Sequence, residues 1–256
     1  MYKRQIDTKE LKQITSEPGA ERSPSISPNG KTLAFIKEER RPLAYTPDRI
    51  AIVNVDGGKS RLLTKNLDGD ANDIIWADDN RSIYFAYDER GIRKVGQVNL
   101  NGSIKEIVSG LGGTSLGRPY LSGGFHMSAN TIAFTYGKPD RPSNVAIVKN
   151  GKPLALTALN DDLLGYKRLG QVNEIIYESS FDGQEIQGWY ITPPDFDPSK
   201  KYPLILEIHG GPHLAYGPYF SAEMQAMAAA GYIVFYDNYR GSLSYGEDFA
   251  LSLIHI

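Results

Sequence analysis

Cysteine is absent from this 256-residue sequence. That excludes disulfides, a thiolate nucleophile and cysteine-bound zinc, while leaving the redox compartment open. Histidine is scarce: His126, His209, His213 and His255 are the four. None stands in a His-Glu-x-x-His or comparable spacing, so neither a metal nor a cofactor is implied. Long apolar runs are also missing. No stretch reaches the roughly 20 residues of a membrane-spanning helix, and the opening Met1-Tyr2-Lys3-Arg4-Gln5-Ile6-Asp7 lacks the apolar segment of a signal peptide. Nor does charge of one sign dominate, because 28 Lys and Arg face 30 Asp and Glu for a net charge of −2. With no long single-sign block, nucleic-acid and membrane-surface partners are not expected. The compartment stays open between cytoplasm and periplasm.

What is present is a globular composition, 41% hydrophobic, and a period. Ile26-Ser27-Pro28-Asn29-Gly30-Lys31-Thr32-Leu33-Ala34-Phe35 matches Trp76-Ala77-Asp78-Asp79-Asn80-Arg81-Ser82-Ile83-Tyr84-Phe85, and a weaker copy ends Asn130-Thr131-Ile132-Ala133-Phe134. The closing phenylalanines stand 50 and 49 residues apart. Behind each copy comes a second hairpin, turning at Asp56-Gly57-Gly58, Asn101-Gly102 and Asn150-Gly151, which are strong hairpin signals. About four strands per repeat of roughly 50 residues predicts a blade of a β-propeller, with another all-β meander as the alternative. Gly30, Gly57, Gly102 and Gly151 then serve as turn residues. Residues 5–15 read as the second hairpin of a blade whose first hairpin is missing. Residues 1–170 are therefore expected to form a partial β-propeller of about three and a half blades, fewer than the about four to eight that close a ring.

After residue 165 the period stops. Glu174-Ile175-Ile176-Tyr177-Glu178 and Ile186-Gln187-Gly188-Trp189-Tyr190-Ile191 read as a hairpin around Asp182-Gly183, opening a second domain over residues 171–256. A proline-rich connection at Thr192-Pro193-Pro194 leads to Leu204-Ile205-Leu206-Glu207-Ile208, a run of β-formers that ends in His209-Gly210-Gly211-Pro212. A buried strand delivering two glycines leaves backbone N–H groups open to a close approach, which is how an oxyanion hole is made. Phe220, Met224, Met227 and Ala228 then fall at helical spacing, with Ser221 as N-cap and Gly231 as stop. A further strand, Tyr232-Ile233-Val234-Phe235-Tyr236, runs into Asp237-Asn238-Tyr239-Arg240-Gly241-Ser242.

Together these segments resemble the prolyl oligopeptidase family of serine peptidases. The likeness is carried by Gly188-Trp189-Tyr190, by Tyr202-Pro203 with His209-Gly210-Gly211-Pro212, and by Asn238-Tyr239-Arg240-Gly241-Ser242 with Tyr245-Gly246. The His-Gly-Gly-Pro form is similar to the acylaminoacyl-peptidase and dipeptidyl-peptidase-like branch. The resemblance implies the N-terminal part of an α/β-hydrolase domain after the propeller, and hydrolysis of short peptides through an acyl-enzyme. It places the oxyanion loop on His209, Gly210 and Gly211, with Pro212 and Arg240 stabilising it. Relatives use a tyrosine hydroxyl near the place where His209 stands, so His209 reads either as part of that loop or as a packed histidine at a strand end.

The rest of the chemistry is not in the chain. In this family the Ser, Asp and His of the triad follow the oxyanion loop, with the Ser in a Gly-x-Ser-x-Gly elbow. No such elbow occurs. In Gly241-Ser242-Leu243-Ser244-Tyr245-Gly246 one residue too many precedes Ser244, and His209 and His213 come before any nucleophile. No catalytic residue is therefore assigned, and Asp237 and Arg240 are read as fixing a loop. Leu251-Ser252-Leu253-Ile254-His255-Ile256 breaks the helical character begun at Gly246 and matches a hexapeptide encoded in frame by a widely used sequencing adapter. It is read as read-through, with a natural final strand as the alternative. The expectation is a peptidase fragment truncated at both ends and inactive alone, whose partner is a short peptide, homo-oligomerisation of the full-length protein being left open. The competing readings are a non-catalytic propeller binding module with a degenerate hydrolase tail, and a related esterase.

Overall fold

The computed structural model describes residues 1–255, with side chains as far as residue 253. Ile256 and the side chains of Ile254 and His255, part of the stretch read as adapter-derived, lie outside the described residues. The chain divides into two compact units. The first comprises Met1–Tyr87 and Val95–Ile107, the second Asp88–Lys94 and Val108–Ile256.

In the first unit, β1 (Tyr2–Arg4) and β2 (Leu11–Gln13) form a two-stranded antiparallel sheet of their own. Next come β3 (Ala20–Ile26), β4 (Thr32–Glu38), β5 (Asp48–Asn54) and β6 (Arg61–Leu62), in that order in an antiparallel sheet. β7 (Ala71–Trp76), β8 (Ser82–Glu89), β9 (Ile92–Asn99) and β10 (Ile104–Leu111) follow in the same sequential pattern. Alternation along a strand sends successive side chains to opposite faces, and β4 and β5 bury both. Ala34, Ile36, Ile50 and Ile52 join a cluster with Trp76, Ile83, Phe85 and Val98, while Phe35, Ala51 and Val53 pack with Ile14 on the other side. This is why the sequence reads as unbroken apolar runs there rather than alternating ones. The two matching turns share a backbone: Gly30 has φ 71° and Asn80 φ 58°, and the Asn80 side-chain oxygen accepts from the Asn29 N–H at 2.8 Å. Asparagine is among the few residues besides glycine that adopt this left-handed conformation readily.

In the second unit, β11 (Phe125–Ser128), β12 (Thr131–Lys138), β13 (Arg141–Lys149) and β14 (Lys152–Ala155) form an antiparallel meander. A one-turn helix α1 (Asp161–Leu164) leads to β15 (Val172–Glu178) and β16 (Glu185–Ile191), which pair antiparallel. β17 (Leu204–Glu207), helix α2 (Ala222–Ala229) and β18 (Ile233–Asp237) complete a sheet of order β15-β16-β18-β17. α2 supplies the crossover that lets β17 and β18 run parallel. Trp189, Ile191, Tyr216, Met224, Ala228, Val234 and Tyr236 form the core between helix and sheet. The described chain ends in α3 (Glu247–Leu251) and a 3₁₀ turn at Ser252–His255.

The expected partial β-propeller followed by the start of an α/β-hydrolase domain is corrected by this topology. The hairpins are where the repeat puts them, but the second and third repeats do not form separate blades. The end of β10 pairs with β12 at Leu111↔Tyr136, and the ladder is extended by Gly112 N–H to the Thr135 carbonyl at 3.1 Å and Ser143 N–H to the Gly113 carbonyl at 3.1 Å. Both repeats therefore contribute to one eight-stranded sheet. Glycines with positive φ at 110, 112 and 113 give the chain the freedom to make that join. No sheet closes on itself among the described residues. In the last sheet two of three pairings are antiparallel and β17 with β18 is parallel, so the described residues form a predominantly antiparallel β structure.

Candidate active site

Parallel neighbours deliver their following loops to the same end of a sheet. β17 and β18 are in register from Leu204↔Ile233 to Glu207↔Tyr236. Their exits are the segment at residues 209–212 and the segment at residues 238–242, both within the second unit. The two segments stand about 30 residues apart in the sequence, and the parallel pairing brings them to one end of the sheet.

His209 is 2% exposed, the single buried side chain of its loop. A carbonyl only accepts, so the contact between Nδ1 and the Gly210 carbonyl at 2.9 Å places a proton on Nδ1. The other ring nitrogen, Nε2, lies 3.0 Å from the Ser242 hydroxyl, which is 2.6 Å from the Tyr239 carbonyl. The Tyr239 ring stacks on the imidazole at 4.6 Å between centroids and 26° between planes, and Tyr216 meets it edge-on at 4.9 Å. Burial pushes the imidazole below its ordinary value, against the opposing pull of the Gly210 carbonyl, Asp237 and Asn238. With its one proton on the Tyr239 carbonyl, the Ser242 hydroxyl has none to give Nε2, and burial makes His209 a neutral, packed ring rather than a base facing solvent.

Gly210 and Gly211 are exposed. Neither N–H has a hydrogen-bond acceptor among the described residues, and a Cβ at Gly210 would meet nothing within 4 Å. Gly211 has φ 133°, and the Gly211–Pro212 bond is cis. Two successive unengaged N–H groups are able to receive an oxygen bearing negative charge. Pro212 closes the loop, its carbonyl accepting from Leu214 N–H at 2.7 Å.

The second segment is pinned from below. Asn238 is wholly buried and holds both backbone groups of Tyr216, accepting from its N–H at 2.7 Å and donating to its carbonyl at 2.9 Å. It also donates to the Tyr245 hydroxyl at 2.8 Å, which donates to Gln187 Oε1 at 2.6 Å. Asp237 accepts from the Tyr177 hydroxyl; burial, helped by that bond and by the Asp237 charge, pushes the Tyr177 phenol up. Arg240 pairs with Asp182 in the hairpin turn between β15 and β16, and so ties its segment to that hairpin rather than to residues 209–212. His213 donates from Nε2 to the Ala250 carbonyl at 3.3 Å. Ser244 is buried with φ 82°, and its hydroxyl accepts from Gly91 N–H at 2.9 Å. Among the described residues no group of three His, Asp or Glu side chains gathers as metal ligands.

Sequence reasoning did not single out Tyr239, Ser242 or Asn238 individually. Tyr239 donates its hydroxyl to the His209 carbonyl at 2.7 Å. The sequence signals for these three are their place after an apolar run and in the Asn238–Ser242 segment that carries the family resemblance.

A model described as the prolyl oligopeptidase family matches residues 218–255, a span that contains Tyr239 to Ser242. The chain belongs to that family. Among its relatives, the uncharacterized peptidase YuxL of Bacillus subtilis is 33% identical over 178 residues, covering 68% of this chain and 26% of that protein. Dipeptidyl-peptidase 5 of Porphyromonas gingivalis is 29% identical over 235 residues, covering 90% of this chain and 33% of that protein. Among solved structures, uncomplexed acylaminoacyl peptidase of Pyrococcus horikoshii aligns with a TM-score of 0.71 at 26% identity, over 87% of this chain and 33% of that one. The chain thus spans about a quarter to a third of the length of these relatives.

Proposed function

We propose that this chain is part of a serine peptidase that hydrolyses short peptides through an acyl-enzyme, and that the loop at Gly210 and Gly211 holds part of the oxyanion. The observation that carries this reading is the pair of adjacent N–H groups, on two exposed glycines, with no acceptor of their own among the described residues, in a chain of the prolyl oligopeptidase family. As an acyl transfer proceeds, negative charge develops on the carbonyl oxygen. Preorganised N–H donors stabilise that charge more than the neutral substrate, and one such donor is worth about 2.7 to 4 kcal/mol. The relatives' names support a peptide as the substrate class.

Within these 256 residues no serine stands in a nucleophile elbow. Ser242 is fully buried between His209 and the Tyr239 carbonyl, and Ser244 faces Gly91. The chain alone is therefore proposed to lack hydrolase activity. The test is to express both this chain and the product of the complete reading frame that contains it. Each is treated with a fluorophosphonate probe and assayed on chromogenic dipeptidyl and acyl-peptidyl substrates. The complete product should be labelled and active, and the 256-residue chain neither. Labelling of the short chain at Ser242 or Ser244, or an inert complete product, would overturn the reading.

A further inference from the structure

Asparagine followed by glycine occurs at three places in the chain, 29–30, 101–102 and 150–151. In such a pair no side chain shields the glycine nitrogen, which on losing its proton becomes a nucleophile beside the asparagine amide carbon. Its attack forms a bond from nitrogen to Cγ. The bond from Cγ to Nδ2 breaks, the leaving nitrogen takes up a proton, and ammonia departs from a succinimide ring. Water then opens the ring at either carbonyl to give aspartate or isoaspartate. Water is the sole co-reactant, and nothing is oxidised or reduced.

The fold treats the three pairs differently. Asn29 Oδ1 accepts from the Ser27 hydroxyl at 2.8 Å and the Lys31 N–H at 3.0 Å, and the Gly30 N–H donates to the Ser27 carbonyl at 2.8 Å. Asn101 Oδ1 accepts from the Ser103 N–H at 3.0 Å and the Ser103 hydroxyl at 2.8 Å, and the Gly102 N–H donates to the Asn99 carbonyl at 2.9 Å. In both pairs the electrophile is held and the nucleophile is occupied. At the third pair, among the described residues, neither the Asn150 side chain nor the Gly151 N–H has a hydrogen-bond partner. Both residues are exposed, and a Cβ at Gly151 would meet nothing within 4 Å. The turn leads into β14, a four-residue strand at the edge of its sheet, so its backbone can adjust for ring closure with few contacts to give up. We propose that Asn150 is a modification site that converts spontaneously to aspartate and isoaspartate in the folded chain, while their hydrogen bonds protect Asn29 and Asn101. The new carboxylate arises between Lys149 and Lys152, which stand opposite each other in the ladder, where like charges repel. Isoaspartate also inserts a methylene into the backbone of the two-residue turn that sets the β13–β14 register.

The test is to hold the 256-residue chain at mildly alkaline pH, folded and in guanidinium chloride. Conversion at the three positions is followed by peptide mass spectrometry, with isoaspartate identified by enzymatic methylation. In the folded chain Asn150 should convert at least about tenfold faster than Asn29 or Asn101, each of which must first give up several hydrogen bonds. In denaturant those bonds are gone, and the three rates should come within about threefold of one another. Ser103→Ala removes one of the bonds to Asn101 and should raise its rate in the folded chain about threefold or more, with the rate at Asn150 unchanged as the check that the fold is kept. Equal rates in the folded chain, no conversion at Asn150, the same order of rates in denaturant, or an unmoved Asn101 rate in a folded Ser103→Ala variant would overturn the inference.

Discussion

His209 couples the site to pH. Its folded-state value lies below the ordinary imidazole value of 6.5 because the ring is buried, and Asp237 is the charged group that opposes this. As pH falls through 6.5 the unfolded chain takes up a proton that the native chain still refuses. More protons on the unfolded state means stability falls as pH is lowered, until the folded value is reached. Urea midpoints of the wild type should therefore drop between pH 7.5 and 5.5 by more than those of His209→Asn; parallel slopes would show that this ring is not the cause. Arg240, expected to stabilise the loop, acts less directly. Its partner Asp182 is 41% exposed, and pairs so wetted contribute about 0 to 1 kcal/mol. The glycine pair at 210 and 211 stands out in the sequence only by its context, since Gly-Gly-Pro also ends many ordinary loops and it is the helix and strand that follow which mark this one. The parts played by Tyr239 and Ser242 were not legible, because a tyrosine or serine in a loop becomes a carbonyl donor or a ring anchor only once a partner strand delivers it.

At the level of elements, α2 is the best-determined piece and shows why local signals work. Ser221 caps it, the hydroxyl accepting from Met224 N–H at 3.2 Å and donating to the Gly117 carbonyl at 2.8 Å. Met224, Gln225 and Ala228 are its buried positions, close to the spacing the sequence showed. Ser221→Ala should destabilise the chain by about 0.5 to 2 kcal/mol, the usual worth of an N-cap, read as a lower urea midpoint with unchanged slope; a shift under about 0.3 kcal/mol would mean that the cap is replaced locally. The hairpins were legible for the same reason, since Asn-Gly turns and paired apolar runs act within a dozen residues. Sheet assembly was not. A fixed repeat states what each hairpin looks like, but which edge it presents to the next is decided by longer-range pairings such as Leu111↔Tyr136, and nothing in the local pattern encodes them.

For the molecule as a whole, the unfinished surface is β17, at one edge of its sheet. Leu204 and Leu206 on the strand and Ile208 just after it are 63%, 54% and 61% exposed, a row of alternating apolar side chains along an edge with no neighbouring strand among the described residues. Such an edge pairs readily with another. The 256-residue chain should therefore associate with rising concentration, and Leu206→Lys should shift it toward monomer in sedimentation velocity; unchanged profiles would place the contact elsewhere. The opposite condition holds at β4 and β5. Every residue at positions 34–36 and 50–53 is buried, against one cluster on one face and a different cluster on the other. A change at any of these positions has neighbours to satisfy in one core, and the adjacent position answers to the other. As copies of this gene diverge, that hairpin is where replacements need compensating partners most often, so it should drift most slowly in the first unit.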